Sequence, residues 1–203
     1  MPLHARLLAP TLQKLRRCAL NQKILLHKRL APLQHLLSTL HETTAVTIFV
    51  FTGDHTNEVY YPEYEKIMNR FAVPLIFYSP NPEYHLKGVN PEFAQQIDIY
   101  PTLADLIGYN KKIRSWGRSL VSEKREAPII ANSDGSVEQF IIGNYIYRFD
   151  GKNVVGVFDT TDLGLEENLM DQIKERPEVQ KGIFIAKAWY QDYMNRVVNR
   201  KLY

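Results

Sequence analysis

The stretch TIFVFTGDHTNE, residues 47–58, decides how the rest of this chain is read. Val46 to Phe51 is β-branched and aromatic, the composition of a buried strand. Gly53 then permits a sharp turn, and Asp54 and His55 follow at once. In α/β sheets, ligands bind beyond the carboxyl ends of the strands, and Asp54 and His55 sit past the end of a strand that reads as central. A carboxylate and an imidazole suit zinc, manganese or magnesium-like ions, with His favouring the transition metals. The plainer reading is an Asp that caps a helix beside a surface His. Two donors are also fewer than the three protein ligands a catalytic site usually supplies. Of the other histidines, His4, His27, His35 and His41 lie in an unusual amino-terminal segment, and His85 follows a proline-rich turn that points to exposure.

That amino-terminal segment differs from everything after it. Arg6, Lys14, Arg16, Arg17, Lys23, Lys28 and Arg29 meet no acid before Glu42. Leu25, Leu26, Leu30, Leu33, Leu36, Leu37 and Leu40 recur at helical spacing, with Pro10 and Pro32 as interruptions. Residues 1–45 are therefore read as a basic, Leu-rich helical arm, and residues 46–203 as the remaining domain. A basic helical face can lie solvated, or it can contact a membrane surface or RNA. Across the 203 residues, 45% are hydrophobic, 23% are charged and the net charge is +3. Such a small charge gives no argument for a nucleic-acid partner. Cys18 is the single cysteine, which excludes an internal disulfide and a multi-cysteine metal site. No apolar run reaches the length of a membrane span, and no signal peptide is visible. The basic start has some transit-peptide character but is poor in Ser.

Beyond residue 45 strands and helices alternate. Val73 to Tyr78 reads as a second apolar strand, closed by the turn-rich SPNPEYH. A helix is expected from Tyr100 or Pro101 to Ile107, with Asp98 before it and Gly108 ending it. Pro128–Ala131, Glu138–Ile142, Tyr145–Asp150 and Val154–Asp159 read as short strands. The Gly-Asn and Asp-Gly signals between them predict an antiparallel meander. Val179 to Val198 carries the spacing of a terminal helix, through Ile183, Ala186, Trp189 or Tyr190, Tyr193 and Val197.

Taken in order, TIFVFTGDHTNE, FAVPLIFYSPN, LKGVNPEFAQQIDIYPTLADLIGY and SWGRSL resemble the carboxy-terminal half of the bacterial sulfatase-like phosphoglycerol transferases. These form the lipoteichoic acid synthase family of the alkaline phosphatase superfamily. The resemblance covers Thr47 to Leu120, and more loosely continues through YIYRFDGKNVVGVFD and ENLM to the terminal helix. It implies an α/β fold: a partial alkaline-phosphatase/sulfatase-like sheet flanked by helices, with a small antiparallel meander and a carboxy-terminal helix. It implies that Asp54 and His55 bind a divalent metal, whether manganese, magnesium or zinc. The family element Q-x-D-[IL]-x-P-T matches Gln96 to Thr102, so Asp98 and Thr102 take a structural role at the start of a helix. FAVPLIFY matches the strand beside the metal strand. Arg118 reads as a surface residue, with contact to an anionic substrate as the lesser reading. In the family a metal-activated Thr hydroxyl attacks a phosphodiester or sulfate ester, and water or an acceptor hydroxyl then releases the covalent intermediate. The implied substrate is a phosphodiester or sulfate ester such as a glycerophospholipid, and the implied location is the cell envelope, with a membrane anchor and an external catalytic domain.

The family also places its nucleophilic Thr and an acidic metal ligand upstream of the Asp-His strand. Thr11 and Thr39 lie outside the nucleophile context, and no carboxylate precedes Glu42. No residue of this chain is therefore assigned a catalytic or cofactor-binding role beyond the metal pair. The chain is expected to be a truncated family member without turnover of its own. Residues 1–45 are expected either to form the arm or to be non-native through an altered start or reading frame. An uncovered sheet edge would then favour self-association. Two other readings stand beside this one. The first is a fragment of an aryl or carbohydrate sulfatase, although Cys18 in RRCAL lacks the C-x-P-x-R pattern. The second is a non-catalytic remnant or interaction module.

Overall fold

The computed structural model describes residues 47–54, 59, 62–122 and 127–201. The arm over residues 1–45 and His55 lie outside the described residues. Residues 47–53 and 74–92 form one compact unit, and the remaining described residues form a second.

In the first unit, β1 (Phe49–Thr52) pairs antiparallel with β2 (Leu75–Tyr78). The register sets Phe49 opposite Tyr78 and Thr52 opposite Leu75. Phe49 stacks on Phe51 with ring centres 6.5 Å apart and meets Tyr78 at 6.1 Å. The Ser79 hydroxyl donates to the Thr47 carbonyl at 2.8 Å and extends the pairing by one residue. The expected pairing of FAVPLIFY beside the Asp-His strand is thus present. The expectation of a buried central strand is not met among the described residues. β1 has one partner strand there and is half-buried, since a strand's burial depends on neighbours its own composition does not specify.

The second unit is built on a four-stranded antiparallel meander. β3 (Ile129–Ser133), β4 (Glu138–Ile142), β5 (Tyr145–Phe149) and β6 (Val154–Asp159) lie in sequence order. Gly143, at φ 61, occupies the first position of the two-residue β4–β5 turn, where a positive φ matches the twist of the strands. At the next turn the Asp150 carboxylate accepts from the Lys152 and Asn153 N–H groups at 2.8 and 2.6 Å.

Because side chains alternate along strands, the sheet has two distinct faces. One carries Phe140, Tyr147, Phe149, Val154 and Val157 against the long terminal helix. The other carries Ile130, Ile141, Ile146 and Phe158 beneath Met68, Leu163 and Leu165. Met68 comes from a 3₁₀ turn, Ile67–Phe71, whose Met68 N–H donates to the Leu163 carbonyl at 3.1 Å.

Three α-helices complete the unit: α1 (Ile99–Leu106), α2 (Met170–Ile173) and α3 (Pro177–Val198). Pro101 falls in the first turn of α1, where a missing N–H leaves no helical bond unmade. The helix stops as the sequence predicts. Gly108, at φ 70, donates to the Asp105 carbonyl at 3.0 Å, and Tyr109 donates to the Ala104 carbonyl at 2.8 Å. α3 lies on the sheet through Val179, Gly182 and Ala186, all buried. Its far end holds the loop that contains Trp116. The indole N–H of Trp116 donates to Asp192 at 2.9 Å, and the Arg196 guanidinium lies 4.8 Å over the Trp116 ring. Arg196 also donates to Asp192 at 2.7 Å, and this bond holds the Asp192 carboxyl below its usual range.

Candidate functional site

β1 ends at Thr52, and the chain bends at Asp54, which is exposed. Asp54 thus lies two residues past the strand end. Its sequence partner His55 lies outside the described residues, so the geometry of the pair rests on adjacency alone. Among the described residues, no three His, Cys, Asp or Glu side chains come close enough together to hold a metal ion. An exposed carboxylate followed by an imidazole is a donor set that fits a divalent transition ion, but it is half of one.

A buried polar cluster is built around Asp98, in the Q-x-D-[IL]-x-P-T element. Asp98 is 1% exposed, yet its two carboxylate oxygens are both engaged. Oδ2 accepts from the Gln95 N–H at 2.9 Å, and Oδ1 accepts from the Arg118 N–H at 2.9 Å. The Thr102 hydroxyl donates to the Asp98 carbonyl at 2.6 Å and accepts from the Leu120 N–H at 3.0 Å. Asp98 and Thr102 thus hold the 115–120 loop against the first turn of α1. Their oxygens are spent on backbone amides, which is the structural role expected from the motif.

Arg118 lies only partly at the surface. Its side chain is half-buried, and its guanidinium donates to the Phe93 carbonyl at 3.1 Å. The reason is Gly117, where a Cβ would collide with the backbone of Ile97 and Asp98. The glycine brings the two segments close enough to draw Arg118 inward. A cavity of about 100 Å³ lies beside this cluster, lined by Gln95, Asp98, Trp116, Arg118 and Ile129 among others. With both Asp98 oxygens turned to backbone N–H groups, it presents no metal-binding donor set.

Sequence reasoning missed two polar features of this unit. Gln139, 1% exposed, shares a cross-strand row with Asn132 and Arg148. The signal was legible: alternation puts Gln139 on the same face as Ile141, a polar residue at an apolar position. Gln95 is the other. Its carboxamide reaches the edge of β3, a contact that only the tertiary fold creates.

No helix of the described residues is long and apolar enough to cross a membrane. No match to the chain was found among curated proteins. The family model described as Sulfatase matches residues 31–109, a stretch that contains β1, Asp54, His55, β2 and α1. Members of that superfamily are commonly metal-dependent. The match supports a relationship of this chain to the alkaline phosphatase and sulfatase superfamily.

Proposed function

We propose that this chain carries part of a metal-dependent, sulfatase-like phosphoglycerol transferase or phosphodiester or sulfate ester hydrolase. Asp54 and His55 are among the ligands of its divalent ion: manganese, magnesium or zinc. The observation that carries this reading is the Sulfatase match across residues 31–109, which contains the Asp-His pair at the end of a strand. When bound, such an ion supplies charge neutralisation at the transferring group and lowers the pKa of a coordinated hydroxyl. Asp54 contributes negative charge and one oxygen donor at the strand end, and His55 contributes a nitrogen donor. Among the described residues no cluster of three such donors forms, and the remaining ligands and the nucleophile are not assigned to any of them. Asp98 and Thr102 act as scaffold, fixing α1 and the loop before Leu120. The substrate class is a phosphodiester or sulfate ester, such as a glycerophospholipid, and the setting is the cell envelope.

Calorimetric titration of the chain with manganese and with zinc tests the metal assignment. The wild type is expected to bind weakly, and Asp54→Ala/His55→Ala, which removes both proposed donors, to show no specific binding. Equal affinity in the two proteins refutes the role of the pair. Hydrolysis of an aryl phosphodiester and of an aryl sulfate then separates the two ester classes.

A further inference from the structure

The outer strands of a sheet expose backbone N–H and C=O groups that readily pair with a strand from another chain. In the meander these strands are β3 and β6. On β6, the Val157 N–H donates to the Asn168 side-chain oxygen at 3.1 Å, and the Leu169 N–H donates to the Val157 carbonyl at 2.8 Å. Farther along the strand, the Asp162 N–H donates to the Asp159 carbonyl at 3.0 Å. That edge is closed by the segment that follows it in sequence.

β3 is closed differently, by a side chain from a distant segment. The Gln95 amide nitrogen donates to the Ile129 carbonyl at 2.8 Å, and its amide oxygen accepts from the Ala131 N–H at 3.2 Å. One donor and one acceptor directed at residues two apart is the pattern that a residue of a parallel neighbouring strand presents. The carboxamide is held in place from behind. The Gln95 backbone N–H is bonded to the buried Asp98 carboxylate, which also accepts from Arg118. β3 itself begins Ile129-Ile130-Ala131, apolar and led by two β-branched residues, the composition that pairs readily when an edge is open.

We propose that Gln95 is an intramolecular guard of the β3 edge. Its side chain occupies the pairing sites that a strand of a second copy would otherwise take, and Asp98 keeps it there. The expectation of self-association drawn from the sequence concerned the sheet containing β1; the four-stranded sheet carries its own means of remaining single.

Gln95→Met tests this, because Met matches the length of Gln and cannot make either bond. Hydrogen exchange is followed at the Ala131 amide at a dilution where sedimentation shows only monomer, with the Ile146 amide in the central strand β5 as the reporter of global opening. Sedimentation is run over a range of protein concentrations. In the variant, Ala131 is expected to exchange about fivefold faster, the factor that loss of one ordinary hydrogen bond gives, with Ile146 unchanged. Sedimentation is expected to show larger species at concentrations where the wild type shows none. The proposal is overturned if Ala131 exchange does not accelerate, if Ile146 accelerates equally, or if the sedimentation profiles of the two proteins coincide.

Discussion

Gly182 lies in the middle of α3, and replacing it by Ala sets two physical effects against each other. On helix propensity alone the substitution is favourable by about 1 kcal/mol, because Ala loses less backbone freedom than Gly. The packing opposes it. A Cβ at Gly182 would overlap Oη and Cζ of Tyr147 and lie 2.8 Å from its Cε2. The Tyr147 ring has nowhere to go. It is 1% exposed on β5 and packed in the cluster that contains Phe140, Val179 and Ala186. Burial also pushes its hydroxyl pKa up to about 12. Forcing a methyl group into such a site costs about 3 kcal/mol, the upper part of the range for overpacked cores. The net expectation is a loss of about 2 kcal/mol, after the propensity gain of about 1 is subtracted. For a chain of this size that lowers the melting midpoint by about 4–8 °C. Thermal and urea melts of the full chain measure it. A second variant checks the cause: in a Tyr147→Leu background, which removes the ring, the Gly182→Ala penalty should disappear. A Gly182→Ala midpoint equal to or above wild type would refute the reasoning, since propensity alone would then decide the outcome.

Asp98→Ala should strip partners from the half-buried Gln95 and Arg118 N–H groups and cost about 1–3 kcal/mol in urea unfolding, with Asp98→Asn milder because one acceptor oxygen remains. Asp134 predicts a pH dependence. The Ser136 hydroxyl, and then the Ser136 and Val137 N–H groups, bond its carboxylate and bring its pKa down from 3.8 to about 2. The folded state therefore favours the ionised form, so this contribution is fully present above about pH 4 and fades as the pH falls through about 2. Urea midpoints of wild type and Asp134→Ala should differ most above pH 4 and converge toward pH 2; a gap that stays constant across that window would rule out the contribution.

The features legible in the sequence are those whose causes are local. β4, β5 and β6 lie within a residue of where alternation and the Gly-Asn and Asp-Gly turns place them, since a turn and a period of two fix both register and face. The end of α1 follows from Gly108, and α3 follows from its apolar spacing, beginning two residues before the expected Val179. Asp98 and Thr102 were assigned to scaffold by the motif that contains them, and their bonds to Gln95, Arg118 and Leu120 bear that out. The burial of β1 was not legible, because a strand rich in Phe and Val looks the same whether it has one neighbour or two. The half-buried setting of Arg118 is not legible either, because no local rule records that Gly117 packs its segment against Ile97.

By itself, then, the sequence determined the order of the strands and of α1 and α3, the turns of the meander, and Asp54 and His55 as candidate ligands at a strand end. Hydrogen bonding between near neighbours and side-chain periodicity suffice for that much. Only the tertiary structure decided that Gln95 would close the edge of β3, 34 and 36 residues away, and that Gly182 would leave room for the phenol of Tyr147. These contacts depend on which surfaces meet, and a chain encodes that in the packing of the whole domain rather than in any window of its sequence.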